Sequence, residues 1–199
     1  MDLNELQNAW ASVDERLKEN EMLNKRIVQE MLSNKSNKSL NKLINTELFS
    51  IIGLLLVIPL CIWALNYRFL NSLFPKLIFV VVLIISIIGI IWSSYTLKKY
   101  LLKIDFSKSI KDNMYYVNNF FIYYRKSKMI NYYIIIPIIS VLMILSYYEL
   151  KAPFHLWIFL FVALTIGIIV TFWMYKKIYD VNIQSIQKSL EELSELKEE

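Results

Sequence analysis

The residues that could do chemistry are few, and they narrow the function early. One cysteine, Cys61, and one histidine, His155, stand in 199 residues. A lone cysteine leaves no intrachain disulfide, and with a single histidine there is no ligand set for zinc and no Cys–His nucleophile pair. No Walker loop, G-x-S-x-G elbow or H-E-x-x-H helix occurs. Glu149 and Lys151 share a short turn that does not read as a catalytic pair. The residues imply no enzyme, cofactor or metal site. Their functional potential lies in an apolar seam instead. Leu3, Leu6, Trp10, Val13 and Leu17 are spaced 3, 4, 3 and 4 apart, and the register runs through Asn20 and Asn24 to Ile27 and Met31. Apolar residues at this spacing fall on one helix face and bind another helix. Asp2 stands at the expected N-cap, with Glu5 three residues on.

The seam needs an anchor, and the rest of the chain is built as one. Residues 48–67, 77–97, 129–148 and 152–175 contain no Asp, Glu, Lys or Arg. A helix rises about 1.5 Å per residue and needs about 20 apolar residues to cross about 30 Å of hydrocarbon. All four stretches meet that length. Backbone in lipid must satisfy its own hydrogen bonds, so each stretch is expected to be a helix. The fold class expected is all-α, a polytopic membrane protein of four transmembrane helices. The first 45 residues hold 7 basic and 7 acidic residues and do not read as a secretory signal peptide.

Charge sets the orientation. The basic residues divide as 7 before the first span, 2 and 1 in the two short turns, 8 in the central loop and 4 after the last span. The positive-inside rule places the sides with 7, 8 and 4 in the cytoplasm, so both termini are expected on the cytoplasmic side. The net charge of +5 then reflects contact with anionic lipid and calls for no nucleic acid. Within the spans, Asn66, Ser86, Ser140, Thr165 and Thr171 are expected to bond between helices or back onto their own. His155, near the outer interface, and Cys61, deep in the first span, are expected to be structural.

Displacing the sequence by 78 positions aligns Pro59 with Pro137, Pro75 with Pro153, Ile-Gly-Ile-Ile of 88–91 with that of 166–169, and Lys98-Lys99 with Lys176-Lys177. This reads as a duplicated two-span hairpin, with repeat units at 34–111 and 112–199 after a cytoplasmic amphipathic helix at 1–33. Pro59 and Pro137 should bend their helices, and Gly89 and Gly167 should let a neighbouring helix approach closely.

Further seams recur outside the spans: Tyr179, Ile183, Ile186, Leu190 and Leu193 after the fourth, and Ile110, Met114, Val117, Phe121 and Tyr124 in the central loop. Leu97, Leu101 and Ile104 extend the second span. No Gly or Pro occurs at 90–136, which predicts that the second and fourth spans run into the cytoplasm as long helices. Amphipathic helices should lead into the first and third. The seams can cover one another as a stalk, lie in the headgroup layer, or hold a partner.

The Leu3-x-x-Leu6-x-x-x-Trp10 helix, the Asn/Lys/Ser-rich stretch at 33–46 and the four spans resemble a group of small, uncharacterised bacterial inner-membrane proteins. Some of these are thought to be encoded beside extracytoplasmic-function sigma factors, which implies an anti-sigma-like role for the N-terminal segment. The chain lacks the His/Cys zinc motif of one familiar anti-sigma class. The expected function is a non-enzymatic, membrane-anchored interaction or regulatory protein. Its partners are the bilayer and a cytoplasmic protein or a second copy of the chain. The alternative is a small transporter or channel with its pathway between the two hairpins.

Overall fold

The computed structural model describes residues 3–66, 73–106, 108–150 and 154–198. All regular structure among them is helical, in four rods. The first rod is α1 (Leu3–Leu65), a single helix of 63 residues. The second is α2 (Leu73–Lys99) and a 3₁₀ turn, Leu101–Lys103. The third joins α3 (Ile110–Ile130) to α4 (Ile136–Leu150) through a π-helical segment, Asn131–Ile135. The fourth joins α5 (Phe154–Met174) to α6 (Val181–Glu198) through a second π segment, Tyr175–Asp180. α1 lies between α2 and α6, α4 packs on α2, and α3 packs on α6, so the rods form a ring.

Three helices are long and apolar enough to cross a membrane: Ser12–Leu65, Leu73–Lys103 and Ile110–Glu149. α5 covers most of the fourth charge-free stretch. The apolar half of the bundle is turned outward, with Phe49, Leu56, Leu60, Ile88, Ile91, Val141 and Ile169 among its exposed side chains. Such an exterior is stable against lipid tails and not against water.

The closed core lies instead in the polar half, where the helices leave the apolar stretches. There Leu40 and Leu43 of α1 meet Ile183, Ile186 and Leu190 of α6, with Leu97, Leu101, Val117, Phe120 and Tyr124 completing the cluster. The α6 seam expected from its spacing is thus covered by the rest of the chain. α1 and α6 run antiparallel: Ser39 Oγ donates to Ser185 Oγ at 3.3 Å, while Glu47, two turns on, meets Tyr179. Ser36 and Ser189 are fully buried in the same polar half. Small side chains let two helix backbones come close, which is why a stretch that reads as merely polar at 33–46 is part of the core. Its apolar members Leu40 and Leu43 belong, with Leu97 of α2, to one continuous packed cluster.

The second rod differs from expectation. Its helix carries Leu97 and Leu101 into the stalk but stops there: the 3₁₀ turn ends at Lys103, Ile104 is extended at φ −71° and ψ 121°, and α3 begins at Ile110. The cause is Asn113, which is buried. Its Oδ1 accepts from the Asp105 N–H at 2.9 Å and its Nδ2 donates to the Asp105 carbonyl at 2.7 Å. An asparagine side chain that satisfies both backbone groups of another residue replaces the helix ladder there. Neither Gly nor Pro is needed to turn the chain.

At the opposite end, Glu149 accepts from the backbone N–H groups of Leu73 and Phe74 at 2.9 and 2.8 Å. The residue that reads as part of an exposed turn therefore caps α2 across the bundle, satisfying two orphan donors at the positive end of its dipole. Lys151 and Pro153 lie outside the described residues, as does Asp2, and so do the side chains of Leu3, Leu6 and His155.

Pro59 stands inside α1. Pro137 follows the first π segment, at whose end the Ile136 N–H bonds the Asn131 carbonyl, five residues back. The two prolines aligned by the 78-residue offset thus sit in different helical surroundings. The glycines diverge as well. A Cβ at Gly89 would meet Leu54 Cδ1 at 3.0 Å, which marks a close approach of α1 and α2, whereas one at Gly167 would meet nothing within 4 Å.

Candidate functional sites: an uncovered arm and a polar cavity

Two features stand apart from the packed core. The first is the arm of α1 that precedes Ser36. Trp10, Val13 and Leu17 are 68%, 48% and 61% exposed, and Met22, Leu23, Ile27, Val28 and Met31 are exposed as well. At about 1.5 Å per residue, 10–31 form a projection about 30 Å long. Polar contacts within the arm are helix-surface pairs such as Lys18–Asp14 at 2.9 Å and Arg26–Glu30 at 3.6 Å. Such exposed pairs add only tenths of a kcal/mol each. An isolated helix is marginal in water, so a partner on the seam would stabilise the arm.

The second feature was not evident from the sequence. Where the apolar half meets the stalk, the four rods line a partly open cavity of about 620 Å³. Glu47 from α1, Ser93 and Thr96 from α2, Tyr124 and Asn131 from the third rod, and Tyr175 and Tyr179 from the fourth all line it. Both π segments contribute. A π turn re-aims the side chains that follow it, and here the widened turns carry Asn131, Tyr175 and Tyr179 to the cavity.

Glu47 is half-buried, one residue before the first charge-free stretch. It accepts a hydrogen bond from Ser93 Oγ and another from the Tyr179 hydroxyl at 3.0 Å. Burial pushes its carboxyl above the usual range, and the two hydroxyls offset that only in part. Tyr179 stacks on Tyr124 with centroids 5.0 Å apart. The Tyr124 hydroxyl donates to Asp180 Oδ1 at 2.8 Å, and Lys128 Nζ pairs with Asp180 Oδ2 at 3.2 Å. Burial raises the pKa of both phenols, with Asp180 adding to the shift at Tyr124 and Glu47 to that at Tyr179. Both hydroxyls therefore remain donors at neutral pH. Asn131 donates to the Tyr175 hydroxyl and fixes the neighbouring ring.

Among the described residues, no group of three or more His, Cys, Asp and Glu side chains could hold a metal ion. Ser86, Ser140, Thr165 and Thr171 bond back to carbonyls four residues earlier in their own helices. Asn66 does likewise, to Ile62. The seam residues Trp10, Val13 and Leu17 lie on the arm, far along the chain from the cavity, whereas Gly89 lines the cavity itself. Glu47 escapes a reading built on charge-free stretches because it bounds one. Its partner Tyr179 is 132 residues away in sequence. No family model, curated protein or solved structure matches the chain, so geometry alone carries the functional reading.

Proposed function

We propose that the protein is a non-enzymatic integral membrane protein that holds a cytoplasmic partner on the α1 arm. In this reading α5 is a fourth span and the 78-residue offset records two duplicated hairpins. Both termini are cytoplasmic in a bacterial inner membrane. The observation that carries it is the contrast between two heptad seams. The α6 seam is covered by α1 and α3, while Trp10, Val13, Leu17, Ile27 and Met31 on the arm remain exposed. An anchor alone would have no use for an uncovered apolar seam. An anti-sigma-like role is one form of this function, and it rests on the sequence resemblance alone.

The test is affinity capture with the full chain, a chain lacking residues 1–33, and Leu17→Asp. A soluble protein retained by the full chain and lost from both variants supports the reading. An unchanged set of captured proteins, or none, sinks it, and capture of only a second copy of the chain assigns the arm to self-association.

A second reading, a small transporter or channel, draws on the polar cavity among the four rods. It requires reconstituted flux that falls on Pro59→Ala and Pro137→Ala.

A further inference from the structure

The cavity holds an imbalance of charge that neither anchoring nor docking uses. Glu47 is an acidic group bonded only by the neutral hydroxyls of Ser93 and Tyr179. Among the described residues no Lys, Arg or His lines the cavity or pairs with this carboxylate. A carboxylate withdrawn from water keeps a desolvation penalty that a cation relieves more fully than a hydroxyl does. Lys128, which lies over Tyr124 and Tyr175, is already committed to Asp180.

The walls around Glu47 suit one kind of cation. Trp92, Phe120, Tyr124, Tyr175 and Tyr179 all line the cavity. Their ring faces attract positive charge within about 6 Å of the centroid. Two of them already do so: Lys128 Nζ lies 5.7 Å from the Tyr124 centroid and 5.8 Å from that of Tyr175, and Trp92 and Phe120 carry no such cation among the described residues. Trp92 is braced by Tyr123, with ring centroids 5.7 Å apart. Toward the apolar half the lining becomes Leu54, Ile85, Ile88 and Ile135. A ligand is therefore met by a carboxylate and aromatic rings at one end and by aliphatic side chains at the other. A bare metal ion requires oxygens within about 2.6 Å all round. A cavity of about 620 Å³ with a single carboxylate does not offer that shell, but it lies within the range of about 300–1,000 Å³ common for organic ligands.

We propose that this cavity binds a lipophilic organic monocation, an ammonium or phosphonium centre bearing apolar substituents, with its charge against Glu47 and its body between the aromatic and aliphatic walls. One carboxylate fixes the ligand's charge at one. Binding there is independent of what the α1 arm holds.

The experiment is calorimetric titration of the full chain in detergent with tetraphenylphosphonium and with tetraphenylborate, which has the same shape and the opposite charge. Saturable binding of the cation and none of the anion is expected. Glu47→Gln should weaken cation binding at least ten-fold, Glu47→Asp should retain most of it, and Trp92→Ala should weaken it several-fold. Size-exclusion chromatography selects the variants that remain folded. Should Glu47→Gln not fold, a charge-blind response of the wild type and Glu47→Asp to the two probes still decides against the site. Equal affinity for both probes, unchanged affinity in Glu47→Gln, or no saturable binding to the wild type overturns the proposal.

Discussion

α1 carries two segments of similar helical character whose surroundings are opposite. From Ser36 to Glu47 it is pressed onto α6, with Ser36 and Leu43 at 0% and 1% exposure; from Trp10 to Met31 its apolar side chains stand in solvent. The buried segment is the more polar of the two in sequence, and the exposed one has the clearer heptad. Apolar spacing thus states that a face wants a partner without saying whether the partner is in the same chain. Serine spacing can mark a tighter interface than leucine spacing, because small side chains let backbones approach.

That contrast can be broken most directly by truncating matched leucines. Leu190→Ala removes a fully buried side chain from the stalk and should cost about 2–5 kcal/mol in denaturant unfolding of the solubilised protein. Leu17→Ala on the arm should stay within about 0.5 kcal/mol. Equal losses would mean that the arm is packed.

Asn113→Ala tests whether the stalk depends on a side-chain turn as well as on apolar packing. It removes both bonds to Asp105 and should cost about 1–3 kcal/mol, with faster hydrogen exchange at the Asp105 amide. Retained protection there would show that the break between α2 and α3 has another origin.

Glu47 gives a smaller effect whose sign depends on pH. Its raised native pKa means that the folded state holds the proton more tightly than the unfolded state, whose carboxyl titrates near 4.5. Stability therefore falls as pH rises from about that value through the native pKa. Glu47→Gln lacks this loss, so its thermal midpoint should exceed that of the wild type at neutral pH, and the difference should close below pH 4.5. A constant difference across that range would place Glu47 in water.

The smallest expected difference separates the two aligned glycines. Replacing a helical glycine by alanine gains up to about 1 kcal/mol where there is room. Gly167→Ala has that room, whereas Gly89→Ala meets Leu54 Cδ1 and should gain less or lose slightly. Identical midpoints for the two variants would mean that α1 and α2 separate readily at this point.

Much of this architecture is legible in the chain itself. Charge-free stretches of 20 or more residues require helices in lipid, and the spacing of Tyr179, Ile183, Ile186 and Leu190 places one apolar face on α6. These are local consequences of hydropathy and helical period, so neighbouring residues suffice to fix them. Which seams are covered is a different matter, because it depends on segments far apart in sequence. Only the packed rods bring Ser39 to Ser185, Glu47 to Tyr179, and Glu149 to the start of α2. The same holds for the cavity: its carboxylate, aromatic walls and π turns come from four rods, each unremarkable by itself. Local periodicity fixes the helices; burial, a property of the whole assembly, decides which of their faces remain to bind something else.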